Sequence, residues 1–442
     1  MSNELKPLHF DADYTMEEAL AEAKRCLNCP KPLCRMGCPI ENEIPRFIQA
    51  IAHGNFGLAN DILAERTNLP SICGRVCPRE NQCEGNCIMN KAKKPPINIG
   101  KLERFAADFE SINELRKPKK IKQDLGKVAV VGSGPAGLSV AGDIAKLGYE
   151  VTVFEGQSEP GGVLLFGIPE FRLSKSVVRR EIARLEGLGV KFVCNTFIGQ
   201  DKTLDELFAE GFDSIFIGTG THIPQEVRME NDEVHGVFQA MYLLTNVQLV
   251  ENGELDAEQI PVKKGDRVII IGGGNVAMDA ARTCVRLGCE SVTVAYRRSQ
   301  EQMPALLSEY EEARAEGVQF QWFASPVGVE GKDKVEGFKY EVMALNEDGA
   351  GIHGTGKFQV MPVDKIIIAA GHKPNARLIG EGNNLKVDEK GYIITSEDPY
   401  GMTNRDGVFA GGDVVHKPAT VVLAMREAKK AVDGMVKYME IK

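Results

Sequence analysis

The chain has 442 residues, of which 43% are hydrophobic and 26% charged, and its formal net charge is −9. This length predicts two to four domains, and the acidic balance argues against a nucleic-acid binder, which needs a basic surface. No apolar run is long enough to cross a membrane, and the N-terminus lacks the apolar core of a signal peptide. We therefore expect a cytoplasmic protein with no membrane partner.

Cysteines crowd the N-terminal part of the chain, where eight of the eleven lie between Cys26 and Cys87. They form two sets, Cys26-x2-Cys29-x4-Cys34-x3-Cys38 and Cys73-x3-Cys77-x5-Cys83-x3-Cys87. In a large chain without an export signal, such clustering predicts metal binding rather than disulfides. The short spacers and the Cys-Pro pairs resemble the bacterial ferredoxin run, in which the fourth cysteine binds the other cluster. Structural zinc is the alternative that the spacing leaves open.

Helical segments surround these cysteines. Thr15 and Glu18 predict a capping box at the start of a first helix that delivers Cys26 and Cys29. Further helices are predicted around residues 44–52 and 56–66 and over 97–110, with a turn over 91–96. The basic run over residues 116–122 predicts a solvated linker to a second part of the chain.

A dinucleotide-binding pattern follows the linker. The apolar run 128–131 predicts a buried parallel strand, and Gly132, Gly134 and Gly137 follow it with G-x-G-x-x-G spacing. Pro135 and Ala136 open a helix whose N-terminal N–H groups suit a pyrophosphate. The next strand, 150–154, ends at Glu155, where such folds carry the acid for a ribose hydroxyl. A glycine-rich turn without a ligand is the alternative.

The segment after this strand mixes apolar residues with glycines. Residues 160–169 include Gly162, and such a segment lets a flat ring system approach the backbone, although a plain loop is equally compatible. A helix near 175–187 and a strand over 191–194 are predicted next. The strand 214–217 then ends in a turn that contains Gly220.

The pattern then repeats with one difference in charge. The strand 267–271 leads into a second phosphate turn and a helix over 278–287, and the turn carries Gly272, Gly274, Asn275 and Val276. After the next strand, Arg297 and Arg298 stand where the first copy has Glu155. A carboxylate repels a 2′-phosphate and arginines bind it, so the first site predicts FAD and the second NADPH. A surface charge pair is the alternative reading of the arginines.

The end of the chain returns to the first fold. The second copy closes with a strand that begins at Lys365 and ends at Gly371, and the run 406–413 predicts a strand followed by Gly412 and Asp413. A helix over 420–438 follows, and its N-terminus favours negative charge on a reduced flavin. Ala419 and Thr420 at its start complete the predicted cofactor-binding set. Asp413 is alternatively only a turn or capping residue.

These motifs together resemble a known family. Gly-Ser-Gly-Pro-Ala-Gly-Leu, Gly-Ile-Pro-Glu-Phe-Arg-Leu, Tyr-Arg-Arg-Ser with Met303-Pro304, and Gly-Gly-Asp-Val-Val follow two cysteine sets in that order. The chain resembles the small (β) subunit of bacterial NADPH-dependent glutamate synthase. It is also similar to the flavoprotein subunit of NADH-dependent ferredoxin–NADP oxidoreductases and to the N-terminal part of dihydropyrimidine dehydrogenase.

The resemblance implies an α/β protein with three parts. A helical domain over 1–122 would hold two [4Fe–4S] clusters, and an FAD domain over 123–225 and 371–442 would contain an inserted NADPH domain over 226–370. Hydride would pass from NADPH to FAD, and single electrons would leave through the clusters to a larger catalytic or ferredoxin-like partner subunit. No residue is assigned a catalytic role.

The resemblance also implies a crossed set of cluster ligands. One cluster would take Cys26, Cys29, Cys34 and Cys87, and the other Cys38, Cys77, Cys83 and Glu103, which leaves Cys73 spare. Glu103 enters because it ends an Ile-Asn-Ile-Gly-Lys-Leu-Glu motif. In the uncrossed alternative, Cys73 is a ligand beside Cys77, Cys83 and Cys87, because spacing does not fix connectivity.

Departures from the family's pattern concern the flavin surroundings. His416-Lys-Pro418 stands where relatives carry small residues, and Arg426-Glu427 replaces a glycine-containing segment. Three other functions compete: the flavoprotein subunit of an electron-bifurcating oxidoreductase, a flavin enzyme acting on a disulfide, and a zinc-stapled module that is not an enzyme. The disulfide enzyme needs a redox cysteine pair, and only Cys194, Cys284 and Cys289 lie outside the two sets.

Overall fold

Two five-stranded parallel sheets organise the part of the chain that the structure, a computed structural model, describes: residues 14–112, 121–347, 349, 351–374, 383–417 and 420–441. In chain order its helices are α1 (Met16–Lys24), α2 (Leu33–Met36), α3 (Ile44–Ala52), α4 (Phe56–Ala64), α5 (Pro70–Val76), α6 (Ile88–Lys91), α7 (Ile99–Ile112), α8 (Pro135–Leu147), α9 (Val163–Phe166), α10 (Lys175–Gly187), α11 (Leu204–Ala209), α12 (Ala240–Glu251), α13 (Asn275–Arg286), α14 (Leu307–Ala315) and α15 (Val421–Ile441). Its strands are β1 (Lys127–Val131), β2 (Glu150–Phe154), β3 (Lys191–Val193), β4 (Ser214–Ile217), β5 (Ile223–Pro224), β6 (Val237–Gln239), β7 (Arg267–Ile271), β8 (Ser291–Tyr296), β9 (Gln319–Trp322), β10 (Ala324–Glu330), β11 (Gly337–Leu345), β12 (Ile352–Pro362), β13 (Lys365–Ile368), β14 (His372–Lys373) and β15 (Val408–Ala410).

The first sheet has the strand order β15-β4-β1-β2-β3, and all of its pairings are parallel. Residues 128–131, 151–154 and 214–217 are buried throughout, as expected for strands that helices cover on both faces. Because parallel strands end at a common edge, the turns after β1, β4 and β15 converge there. The last strand, β15, comes from the C-terminal part of the chain, and α15 follows it and packs along α8.

The helices α1 to α7 belong to the same compact unit as this sheet. They enclose an apolar core of their own, which includes the fully buried Phe47, Ile51 and Leu63. Polar contacts then fix them to the nucleotide-type fold: Asn68 Nδ2 donates to Asp143 Oδ1 of α8 at 2.7 Å. Such a hydrogen bond stabilises the folded state only while both partners are present. The packing of the helical region therefore depends in part on α8.

The second compact unit comprises residues 224–372 together with 166–171. Its parallel sheet has the order β6-β13-β7-β8-β9, and a three-stranded antiparallel sheet, β10-β11-β12, belongs to the same unit. Apolar side chains fill both faces of the parallel sheet, as in a doubly wound fold. The chain of the first unit is therefore interrupted by this second one.

Most of the predicted elements are confirmed, with shifts of a few residues at their ends. The capping box at Thr15 forms with Glu18, and α3 has the predicted bounds. The helix expected from residue 278 begins at Asn275, because Gly274 already serves as its N-cap. The run 406–413 forms β15 and then turns at Gly412, which has a φ of 77°, as predicted. The predicted linker over 116–122 lies mostly outside the described residues, and no described helix is long and apolar enough to span a bilayer.

A buried arginine holds α13 against α14 in the second unit. The side chain of Arg282 is 2% exposed, and its guanidinium contacts Glu312 at 2.6 Å and Glu316 at 2.7 Å. The ring of Phe171 stacks over Arg282 at 4.4 Å and over Arg286 at 4.2 Å. Glu316 is itself only 3% exposed, so the arginines supply the positive charge that its burial requires.

We predict that Arg282→Met destabilises this unit by about 3–5 kcal/mol, because it leaves buried carboxylates with less compensating charge. The matched control is Arg267→Met, since Arg267 and its partner Asp364 are 38% and 40% exposed and such pairs contribute about 0.2–1 kcal/mol. Urea unfolding followed by fluorescence measures both, because the chain's single tryptophan, Trp322, lies in β9 of this unit. Equal losses in the two variants would contradict the prediction.

Candidate functional site

The turn after β1 has the geometry of a phosphate-binding turn. Gly132 has a φ of 95°, and a Cβ at Gly137 would lie 1.9 Å from the carbonyl oxygen of Gly132. These two glycines therefore allow the tight turn and the close approach of α8 to β1. At Gly134, in contrast, an added Cβ would meet nothing within 4 Å, so the space beside this backbone is open. Pro135 and Ala136 form the first turn of α8, and the N–H groups there face the same edge of the sheet.

Glu155 lies at the end of β2 beside this turn. One oxygen of its carboxylate accepts hydrogen bonds from the backbone N–H of Ser133 at 3.0 Å and from the Ser133 hydroxyl, and the other accepts from Gln157 N at 2.9 Å. The Ser133 Oγ in turn accepts from the N–H of Gly161 at 2.8 Å. The carboxylate is thus held at the predicted position with acceptor capacity left for a further hydroxyl.

Several predicted residues of the first unit gather at the same edge. Gly162 has a φ of 52°, and its Cβ would lie 2.9 Å from the Cα of Gly134. Gly412, with a φ of 77°, approaches Ala136 so closely that a Cβ would lie 2.8 Å from the Ala136 Cβ. Thr420 caps α15, because its Oγ1 accepts from Leu423 N at 3.3 Å. The structure therefore brings the glycine turn at 412 against the glycine turn after β1.

The other predicted cofactor-binding residues of this unit lie in turns or outside the described residues. Asp413 lies in a single 3-10 turn over Gly412–Val414, and Gly220 has a φ of 69° with open space around it. Ala419 lies outside the described residues.

Glu427 organises the chain behind the turn at 412. Its carboxylate is 5% exposed and accepts a hydrogen bond from Tyr400 OH, lies 2.6 Å from Arg426 Nε, and lies 3.3 Å from His416 Nε2. Burial alone would raise the pKa of this carboxyl, but hydrogen bonds from His416, Tyr400 and Arg426 hold the pKa well below its usual range. The sequence indicated only a departure from the family here. The structure shows a charged hub that fixes two loops to α15.

The second phosphate turn, in the other unit, has the same geometry as the turn after β1, except that an alanine replaces the third glycine. Gly272 has a φ of 145°, and its Cβ would lie 2.5 Å from Ala369 O. A Cβ at Gly274 would meet nothing within 4 Å, so this turn is also open at its second glycine position. Ala277, fully buried, takes the place of the third glycine.

The neighbouring predicted residues have distinct roles. Asn275 Oδ1 accepts from Leu306 N at 2.9 Å, so this side chain anchors the loop before α14 rather than facing open space. Val276 is partly buried against the core of the unit. Gly371 has a φ of 100°, and its carbonyl accepts from Gln225 N at 2.9 Å.

Arg297 and Arg298 follow β8 and are both exposed. In the described ranges neither lies within ion-pair distance of a carboxylate, in contrast to Arg282 and Arg286 of the same unit. They lie in the turn between β8 and a 3-10 turn that begins after Ser299. Two exposed guanidinium groups at the end of this strand remain available for an anionic ligand.

The eight N-terminal cysteines line two separate cavities. The first is walled by Cys26, Cys29, Cys34 and Cys87, with apolar side chains such as Ile44 and Ile97 between them. Burial raises the pKa of Cys26 and raises that of Cys34 to about 11. Four thiols that converge from separate segments on an otherwise apolar cavity suit an iron–sulfur cluster or another soft metal centre.

The second cavity is walled by four thiols and a carboxylate. Its lining includes Cys38, Cys73, Cys77, Cys83 and Glu103. Burial raises the pKa of Cys38 to about 12 and that of Glu103 to about 8, and burial also holds the Cys83 pKa well above its usual range. The structure therefore separates Cys87 from Cys77 and Cys83, unlike the grouping of the uncrossed alternative.

Five candidates thus face the second cavity, one more than the sequence hypothesis used. Cys73 is 2% exposed, and its Sγ lies 3.7 Å from Met425 Sδ and 3.9 Å from Thr67 Oγ1. Glu103 is 8% exposed and accepts a hydrogen bond from Asn42 Nδ2 at 3.3 Å. Arg79 lines the same cavity, and its positive charge opposes the rise of the Glu103 pKa that burial causes. Glu103 is thus a buried carboxyl beside four thiols, where its charged form would gain from a bound cation, and this fits a metal-binding role.

The second cavity and the glycine turn at 412 share one turn of α15. Val422 forms part of the wall of the second cavity. Two residues later, the Cβ of Ala424 lies 3.7 Å from the position of an added Cβ at Gly412. The thiol cavity and the edge of the first nucleotide-type fold are therefore neighbours within one compact unit.

The other cysteines do not form a pair beside this edge. Cys194 follows β3, and burial raises its pKa. Cys284 and Cys289 interact with each other at the C-terminal end of α13, where Cys289 N donates to Cys284 O at 3.3 Å. That end of the helix is opposite to the phosphate turn at its N-terminus, so neither cysteine belongs to the nucleotide edge.

Comparison with known proteins places the chain in a family. A model described as dihydropyrimidine dehydrogenase domain II, 4Fe-4S cluster, matches residues 6–115, and one described as pyridine nucleotide-disulphide oxidoreductase matches residues 126–428. The glutamate synthase [NADPH] small chain of Escherichia coli K12 is 37% identical over 436 residues, which cover 96% of this chain and 92% of that protein. The chain belongs to the glutamate synthase small-chain family. It is an oxidoreductase of this type, with FAD- and NAD(P)-binding folds and a 4Fe-4S domain.

Other relatives show how the family varies. The NAD-dependent dihydropyrimidine dehydrogenase subunit PreT of the same organism is 34% identical over 430 residues, covering 97% of this small-chain homologue and 96% of PreT. The structure of Mycobacterium tuberculosis FprA in complex with NADPH has a TM-score of 0.58 at 20% identity, covering 72% of this chain and 85% of FprA. At that identity, the likeness concerns the fold alone.

We predict that Glu427→Gln loosens the first turns of α15, because hydrogen bonds that involve a charged group contribute about 1.5–3 kcal/mol each. Amide hydrogen exchange of this segment should become faster, whereas Lys430→Gln, 3.5 Å away and 49% exposed, should change it little. Since the folded pKa of Glu427 lies below the unfolded value of about 4.3, the stabilisation is complete above that pH and is lost as the pH falls below it. A difference between wild type and variant that grew on acidification would contradict the assignment.

Proposed function

We propose that this chain passes electrons from NADPH, by way of FAD and two [4Fe–4S] clusters, to a partner subunit. Residues 1–122 would form the cluster domain, 123–225 and 371–442 the FAD domain, and 226–370 the NADPH domain. When bound, FAD accepts a hydride from NADPH and the clusters accept and release single electrons. The observation that carries the proposal is the shared turn of α15, which joins a thiol cavity to the edge of the first nucleotide fold.

The residues of the first fold fit FAD. Gly132 and Gly137 allow the turn, and the open backbone at Gly134 leaves room for a pyrophosphate beside the N–H groups of α8. Glu155 is held by Ser133 and Gln157 in an orientation that leaves it an acceptor for a ribose hydroxyl. A phosphate on that hydroxyl would be repelled by the carboxylate, which excludes NADPH from this site.

The second fold fits NADPH. Family membership does not decide the coenzyme, since one relative's name specifies NADPH and another's NAD. Arg297 and Arg298 are exposed and have no acidic partner within the described ranges, at the position of the 2′-phosphate in such folds. Charge-assisted hydrogen bonds from these arginines would therefore select the phosphorylated coenzyme.

The ligands that we propose for the clusters follow the two cavities. Cys26, Cys29, Cys34 and Cys87 would hold one cluster. Cys38, Cys77, Cys83 and Glu103 would hold the other. Glu103 is preferred to Cys73 because the family motif implies it and its charged form would gain from a bound cation, whereas the thiol of Cys73 already contacts Met425 and Thr67.

The partner that we propose is a larger catalytic or ferredoxin-like subunit. Beyond the two nucleotide folds, the sequence shows no motif for an organic substrate, and clusters near a flavin provide an exit for electrons. Glutamine and 2-oxoglutarate would therefore be converted elsewhere, if this chain serves glutamate synthesis.

The isolated holoprotein should oxidise NADPH and reduce ferricyanide or a tetrazolium dye. It should form no glutamate from glutamine and 2-oxoglutarate, because it lacks a site for either. Anaerobic absorbance spectroscopy and amino-acid analysis measure the two outcomes. Glutamate formation by the purified chain would contradict the proposal, as would a lack of flavin bleaching by NADPH.

Arg297→Ala combined with Arg298→Ala should raise KM for NADPH strongly and leave NADH oxidation almost unchanged. Each lost charge-assisted bond costs about 1.5–3 kcal/mol, which is roughly 10-fold or more in affinity. The control is Arg314→Ala, which removes an arginine elsewhere in the same unit. Equal use of NADPH and NADH by the wild type would show that the two arginines do not select the coenzyme.

Cys73→Ala should retain about eight irons per chain, as expected for two [4Fe–4S] clusters, because Cys73 is not a ligand in our assignment. Cys77→Ala should lose one cluster and keep the other. Glu103→Ala should destabilise the same cluster or shift its potential, since a carboxylate is a harder donor than a thiolate.

Iron analysis with EPR of the reduced variants distinguishes this assignment from its rival. Loss of a cluster in Cys73→Ala, with no effect of Glu103→Ala, would make Cys73 the fourth ligand. Stoichiometric zinc in a colourless native protein would instead support the zinc-stapled alternative.

A further inference from the structure

The two segments that supply most of the wall of the first thiol cavity carry exposed lysines. Most of its wall comes from residues 24–38 and 87–98, which carry four and three Lys or Arg residues respectively and no Asp or Glu. The whole chain, in contrast, has a net charge of −9. We call the five exposed lysines of these segments the lysine collar: Lys24, Lys31, Lys91, Lys93 and Lys94.

The lysine collar lacks the counter-charges that the neighbouring arginines have. Arg25 lies 2.6 Å from Glu22, and Arg35 lies 2.9 Å from Glu43. In the described ranges, no carboxylate lies within ion-pair distance of a collar lysine. Five like charges on two segments that contact each other through Arg25 and Pro95 repel each other in the isolated chain, and an acidic partner would relieve that repulsion.

Exposed apolar side chains lie on or beside the same two segments. Leu27 is 64% exposed and Ile88 36% exposed, and both form part of the cavity wall. Met36, at the end of α2, is 76% exposed. An apolar centre with a charged rim is the usual anatomy of a protein interface, and Cys26, Cys29 and Cys34 of this cavity are themselves partly exposed.

The two segments that carry the collar are fixed to each other. Arg25 NH2 donates to the carbonyl oxygen of Pro95 at 2.7 Å, and Lys94 N donates to Met89 O at 3.0 Å. The charges are therefore presented by ordered backbone, which reduces the entropy cost of docking a partner.

We propose that the lysine collar and the exposed apolar side chains on the same segments form the docking surface for an acidic protein domain that carries a one-electron redox centre. The inference rests on the proposed function, because a redox partner is required only if a cluster occupies the first cavity. The positive charge of the collar selects an acidic occupant, and the partly exposed thiols of the first cavity place a cluster held there close enough to the surface to exchange electrons with that occupant. A second copy of the chain is a poor occupant, since an isologous contact would oppose the two collars.

The test compares two forms of one electron acceptor, native cytochrome c, which is basic, and succinylated cytochrome c, which is acidic with the same fold and haem. Binding to the holoprotein is measured by calorimetry at low and high salt. At about 10 mM salt, where screening extends over roughly 30 Å, the succinylated form should bind at least about tenfold more tightly. At about 0.3 M salt this advantage should largely disappear.

Charge reversal then locates the surface. Lys93→Glu with Lys94→Glu should weaken binding of the succinylated form by about tenfold and slow its anaerobic reduction in parallel. Lys386→Glu with Lys390→Glu is the matched control: it changes the net charge equally at exposed lysines of the same unit and should change binding less than about twofold. Unchanged iron content and visible spectra show that both variants are folded.

Three results would overturn the inference: equal binding of the two cytochrome forms, equal effects of the two double variants, or collar-dependent binding to phosphatidylserine vesicles without binding of the acidic cytochrome. Failure of the proposed function would give a different result. NADPH would then not bleach the flavin of the holoprotein, and the holoprotein would not reduce ferricyanide.

Discussion

Buried ionisable side chains are the constraint on which the rest of this structure depends. Glu103 and the thiols of the second cavity are withdrawn from water, and burial raises their pKa values. Such groups persist in a protein interior when the fold offers them a compensating partner. The same requirement shapes the rest of the chain: Glu316 is matched by Arg282, and Glu427 by Arg426 and Tyr400. The collar lysines differ from these groups, because their charges face solvent.

Much of the fold could be predicted because its motifs are local. A buried strand, a glycine turn and an amphipathic helix follow one another within about thirty residues, so Gly132, Gly134 and Glu155 identify their neighbours without long-range information. The same pattern recurs at Gly272 with arginines in place of the acid. It therefore predicted a second nucleotide site, one that prefers a coenzyme with an additional phosphate. The element ends were less certain: the helix predicted from residue 278 begins at Asn275, directly after the turn glycine Gly274.

What the sequence could not reveal depends on contacts between distant segments. The antiparallel sheet β10-β11-β12 has no motif of its own, and the hub at Glu427 includes Tyr400 and His416, which lie far from it in the chain. Cysteine spacing likewise does not fix which thiols meet, and the crossed grouping came from the family resemblance. The structure adds that Cys73 faces the second cavity together with Glu103, which spacing alone did not indicate.

The interrupted first unit also sets an order of events during synthesis. Ser214, at the start of β4, bonds to Gly407, which lies 193 residues later. At about 5–20 residues per second, the ribosome needs roughly 10–40 s to make the intervening chain. The wall of the first cavity comes from residues 26–99 and is synthesised early, whereas the wall of the second also includes Val422 of α15, which is made near the end of the chain. The walls of the two thiol cavities are therefore completed one after the other as the chain is made.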